Sequence, residues 1–188
     1  MDAMNKKKQS GKTVFRSAKE CSYAAVFVAL LIASQFTFAA IPSVEIVTLL
    51  FVTYAFCFGV VRGMICATAF SLLRQIVFGF YPKILILYLL YYNFLTLVFG
   101  LLGKKIQNPL KFLWLILLVA CVCTALFTVI DNILTTSWYG YTARATKIYW
   151  KASIAVMVPQ IICTAVSIVA LFYPLFKTFN VLKKGIMR

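Results

Sequence analysis

Glu45 lies a residue or two inside an apolar run, in the stretch IPSVEIVTLL at 41–50. An ionised carboxylate in a hydrocarbon-length helix is costly unless it faces a partner or a wet cavity, so it is a candidate for function. Arg74, about six residues inside another apolar run, has the same standing, and Tyr88, Asn93, Asp131 and Gln160 also interrupt long hydrophobic stretches. Together these groups can hold a polar solute. Arg74, or Arg144 and Lys147 nearby in sequence to the last apolar run, would meet an anionic group. Glu45 or Asp131 would fix a donor or the arginine, while Asn93 and Gln160 would hydrogen-bond polar edges. Trp138 and Tyr141 would stack on a ring or close over it; taken singly, they read first as an interfacial aromatic belt. Arg74 has a competing structural reading, an ion pair with Glu45 or Asp131.

The same inventory excludes other chemistry. There is no histidine, no GxSxG elbow, no GxxxxGK[ST] phosphate loop and no Asp-rich metal motif. The expectation is a chain that is not an enzyme, needs no cofactor and binds no metal. Cys21, Cys57, Cys66, Cys121, Cys123 and Cys163 lie in or beside apolar segments, without zinc spacing, and read as small buried hydrophobes.

The elements that must position the polar groups are membrane helices. Of 188 residues, 63% are hydrophobic and only 12% charged, and several apolar runs exceed the roughly 18 residues that mark a spanning helix. The net charge of +15 does not point to nucleic acid, because most basic residues flank the apolar runs as membrane anchors do. The runs predict helices at about 22–41, 44–61, 64–80, 84–102, 112–134 and 151–176, with Arg62-Gly63 breaking the second from the third. A polar, aromatic loop at 135–150 follows the fifth and is placed to cover the polar region. The first run is too long for a signal-peptide core and is read as a transmembrane helix.

The predicted fold class is therefore all-α: a six-transmembrane-helix bundle forming one domain at 21–180, between a basic segment at 1–20 and a basic tail at 181–188. With the N-terminus inside, fourteen Lys and Arg fall on inner segments and four on outer ones, which places both termini in the cytoplasm. Alternating helix direction then gathers Glu45, Arg74, Tyr88, Asp131 and Gln160 toward the outer face, with Asn93 near mid-depth.

A second pattern lies on the first helix, where Ser22, Ala25, Ala29 and Ala33 share one stripe. Small residues at this spacing let another helix backbone approach closely in lipid, within the bundle or from a partner.

The AxxxA spacing at Ala25, Ala29 and Ala33, the helix start at 41–50, and the segment ASIAVMVPQIICTAVSIVA at 152–170 together resemble the S component of an energy-coupling factor (ECF) vitamin transporter. The likeness spans about 20–180. It implies a six-helix bundle in a bacterial cell membrane, part of an ABC importer, that captures a vitamin or related micronutrient at its outer end. It also implies partners: a transmembrane coupling (T) subunit joined to two ATPase subunits. By position, Ala25 and Ala29 would dock on the coupling subunit, with Ala33 extending the stripe, and the loops after the first, third and fifth helices would line or gate the pocket. The rival readings are a non-transporting membrane scaffold or regulatory subunit and, third, a small channel or carrier acting alone.

Overall fold

A computed structural model describes residues 18–41, 46–106 and 108–186. Among them the chain is all-helical: α1 (Ala18–Phe38), α2 (Ile46–Phe58), α3 (Val60–Phe78), α4 (Pro82–Lys105), α5 (Leu113–Trp138) and α6 (Ala143–Ile186). Five of these are long and apolar enough to cross a membrane, and α2 is the exception. Its 13 residues rise about 20 Å, short of a hydrocarbon core of about 30 Å.

α2 is the centre of the bundle. Every residue from 47 to 57 is buried, so it is apolar on all sides where a surface helix would carry a single stripe. Thr53 satisfies its own hydroxyl by donating to the Leu49 carbonyl, 2.8 Å away. Around α2 the aromatic rings interlock. Phe27 of α1 stacks on Tyr54 at 4.0 Å, Phe51 packs edge-on against Phe70 of α3, and Phe56 meets Phe172 and Phe176 of α6. In lipid, where burying carbon gains little over exposing it, such packing holds helices together, each ring pair contributing about 0.5–1.5 kcal/mol.

Side-chain pairs fix the helix directions. Arg62 with Glu20, and Arg74 with Gln35, run α1 and α3 parallel. Phe51 against Phe70, with Tyr54 against Cys66, makes α2 antiparallel to α3. Thr68 with Asn93 and Phe70 with Tyr88 do the same for α3 and α4, as Thr124 with Thr164 and Asn132 with Ser153 do for α5 and α6. Lys83 with Asp131 brings the start of α4 to the end of α5. Direction therefore alternates along the chain, and the molecule has two distinct ends: one with Glu20, Arg62 and Lys183, the other with Arg74, Lys83 and Asp131.

Three boundaries differ from the sequence expectation. The second and third helices part at Gly59, not at Arg62-Gly63. Gly59 has φ of +86°, a left-handed conformation that L side chains adopt only with strain and that a right-handed helix cannot continue through. Arg62 and Gly63 therefore belong to the first turns of α3. The loop expected at 135–150 is only the turn 139–142. α5 continues to Trp138, Gly140 breaks it at φ +60°, and Thr142 accepts from the Ala145 N–H at 3.4 Å to start α6. Finally, α6 continues through the tail expected at 181–188, as far as Ile186.

Candidate functional site

Two of the polar positions expected at the outer end, Asp131 and Gln160, come together around a cleft between α5 and α6. It has a volume of about 340 Å³ and is lined by Phe127, Thr128, Asp131 and Asn132 of α5 and by Tyr149, Ala152, Ser153, Val156 and Gln160 of α6. Volumes of this order accommodate small molecules. Its α5 wall follows from helix spacing: Thr124, Thr128 and Asn132 fall four residues apart and so share one face. Thr124 meets Thr164 at 3.1 Å, Thr128 donates to Gln160 Oε1 at 3.4 Å, and Asn132 Nδ2 donates to Ser153 Oγ at 2.7 Å. This polar seam holds the two helices together below and beside the cleft.

The direction of these bonds leaves one acceptor over. The Ser153 hydroxyl donates to the Trp150 carbonyl at 2.8 Å, so its oxygen must accept from Asn132, which fixes the amide with Nδ2 toward Ser153. Asn132 Oδ1 then has no hydrogen-bond partner, although the residue is only 3% exposed. A buried polar atom without a partner is uncommon and costs free energy. Beside it, Asp131 Oδ1 accepts from Lys83 Nζ at 2.8 Å and from Thr135 at 3.4 Å, whereas Oδ2 has only a long 3.5 Å contact from the Tyr149 hydroxyl.

Arg74 and Tyr88 form a second, separate cluster at the same end. The Arg74 guanidinium carbon lies 4.7 Å from the Phe78 ring centre and 4.6 Å from that of Tyr88. Nε donates to Gln35 Oε1 at 3.0 Å, and Gln35 Nε2 donates to the Tyr88 oxygen at 2.8 Å. Arg74 is 9% exposed, and its Nη1 has no hydrogen-bond partner. The expected ion pair with Asp131 is not formed, since Asp131 is taken by Lys83. Between the cluster and the cleft, Tyr88, which the guanidinium covers, contacts Phe127, which lines the cleft, with ring centres 6.2 Å apart, so the expected single rim is two sites sharing an aromatic wall.

The remaining expected residues are placed as follows. Asn93 joins α3 to α4, accepting from Thr68 at 3.3 Å and donating to the Leu89 carbonyl, and does not line the cleft. Trp138 and Tyr141 are exposed and also stand outside the lining, as do Arg144 and Lys147. With a four-residue turn between α5 and α6, the long loop expected there to cover the site is not formed. Glu45 lies outside the described residues. Ala25, Ala29 and Ala33 are all exposed, together with Ser22, so the stripe does not serve packing within the bundle. Sequence reading missed Gln35, Thr128 and Ser153; the four-residue spacing of Thr124, Thr128 and Asn132 was the available signal.

At the opposite end a smaller groove, about 120 Å³, lies between α1 and α6 and is walled almost wholly by carbon, including Tyr23, Leu30, Phe179 and Leu182. Its polar edge is the Arg62–Glu20 ion pair, 2.9 Å long, which fastens α3 to α1. Against protein-family models, curated proteins and solved structures, the chain matches none.

Proposed function

We propose that this chain is a solute-binding membrane subunit without catalysis of its own, and that it is the S component of an ECF-type importer in a bacterial plasma membrane. The observation that carries the solute-binding reading is the α5–α6 cleft, whose lining residues include Asn132, with an unpartnered buried acceptor, Oδ1, and Asp131, with a carboxylate oxygen that has a single long contact. The S-component assignment draws on the sequence resemblance and on the exposed face of Ala25, Ala29 and Ala33, which leaves room for another helix backbone to approach α1.

In this reading α2 counts as the second of six crossings, sheltered from lipid by its neighbours, and the excess of Lys and Arg puts both termini in the cytoplasm with the cleft outside. The vitamin-like solute enters at that outer end, and a coupling subunit carrying two ATPases docks on the alanine face. Leucine at both Ala25 and Ala29 adds bulk to an exposed face, so the chain should fold and retain solute. It should lose co-purification with its coupling subunit by at least tenfold. Assembly that survives the double substitution removes the docking assignment, absence of solute binding by the isolated chain favours a scaffold or regulatory role, and uptake in vesicles without any ATPase favours a carrier acting alone.

A further inference from the structure

We infer that the solute held by the α5–α6 cleft is a small ring compound that presents N–H donors and carries no net negative charge: an amine, amidine or amino-heterocycle, not a carboxylate or phosphate. This rests on the cleft being the solute site.

The hydrogen-bond inventory leads there. The hydroxyl protons of Ser153 and Thr128 are spent on the Trp150 carbonyl and Gln160 Oε1, and one Asn132 amide proton on Ser153. Acceptor capacity is left on lining residues at Asn132 Oδ1, with no partner, and at Asp131 Oδ2, with one long contact. Both oxygens belong to residues that line the cleft.

Among the described residues no cation lines the cleft. Lys83 is committed to Asp131 and Thr135, at 2.8 and 2.7 Å, and Arg74 lies beyond the Tyr88–Phe127 wall. An entering carboxylate would meet two oxygens and no compensating charge. An amidine or ring amine would bring N–H donors to these oxygens, while Phe127, Ala152 and Val156 supply the apolar surface against which a ring packs. The basic residues Arg144, Lys147 and Lys151 are exposed and raise the local positive potential without entering the cleft. The overall charge of the outer segments is therefore a poor guide to the solute.

The test uses the full chain in lipid nanodiscs and three probes that share one ring and differ in the head: benzamidine, benzamide and benzoate. Saturation-transfer NMR, with empty nanodiscs subtracted, gives their affinities for the wild type, for Asn132→Leu and for a double variant, Ala152→Trp with Val156→Trp, that fills the cleft from its α6 wall. Benzamidine should bind at least tenfold more tightly than benzoate, with benzamide between. Asn132→Leu should weaken benzamidine at least fivefold and leave benzoate unchanged, and the double variant should abolish binding. The probe series on the unmodified chain decides the class even if Asn132→Leu does not fold. Benzoate binding as tightly as benzamidine, and lost in the double variant, overturns the solute class but keeps the cleft as the site. Binding that is absent, or unaffected by the double variant, overturns the cleft reading and this inference with it.

Discussion

Arg74→Glu is expected to be the most damaging single change at the Asp131 end, destabilising the protein by about 4 kcal/mol, within the range for leaving a buried charge uncompensated. The guanidinium now lies between the rings of Phe78 and Tyr88 and donates to Gln35. Glutamate would set a carboxylate against two negative ring faces and beside the Gln35 carbonyl oxygen, exchanging each attraction for a repulsion. The loss should appear as unfolding at a much lower SDS fraction in mixed micelles. Arg74→Lys keeps the charge but not the planar stack and should cost only about 1 kcal/mol. A glutamate variant as stable as the wild type would show that the ring-stacked guanidinium does not hold α1, α3 and α4 together. A loss of solute binding in Arg74→Glu therefore cannot be read as loss of a direct contact, because the residue stands outside the cleft.

Gly103→Val should be nearly as severe, about 3 kcal/mol, at the upper end of overpacking costs. A Cβ at Gly103 would run into the Phe56 carbonyl oxygen and come within 2.9 Å of its Cα, and one at Gly100 would come within 2.6 Å of the Val60 nitrogen. These are backbone atoms, which no rotamer change can move aside. The two glycines let α4 lie directly on the end of α2 and the start of α3, around the turn at Gly59. The same unfolding assay checks this, with Gly185→Val as control: nothing lies within 4 Å of a Cβ there, and its loss should stay near 0.5 kcal/mol. Equal effects at the two positions would contradict the close approach.

The helical class and the approximate position of each helix were legible in the sequence because runs of apolar residues report membrane length directly. Their ends were less so. Through FCFGVVRG the hydropathy stays high across Gly59, and only the backbone angle reveals the break; the charged Arg62 drew the boundary three residues too far. In TTSWYGYTARATKIYW the polar composition reads as loop, yet Gly140 is the sole residue there in a left-handed conformation and helix resumes at Ala143.

The end of the bundle toward which a polar residue lies was legible as well. Alternating direction puts Arg74, Tyr88 and Asp131 toward one end, and their side-chain pairs place them there. Azimuth was not legible, because which way each helix turns is set by packing between helices. For that reason Arg74 and Asp131 fall on opposite sides of the Tyr88–Phe127 wall, Asn93 bridges α3 and α4, and Gln35 enters unannounced as the link between α1 and Arg74. The same limit left open whether the alanine stripe faces inward, and it faces out.

The central claim, that the cleft between α5 and α6 holds a solute, is tested most directly by native mass spectrometry of the chain purified from cells under mild conditions. The wild type should carry a small molecule at close to one per chain, and the Ala152→Trp, Val156→Trp double variant, equally folded, should carry none. A wild type released without any bound small molecule, or a double variant that retains the same one, would contradict it.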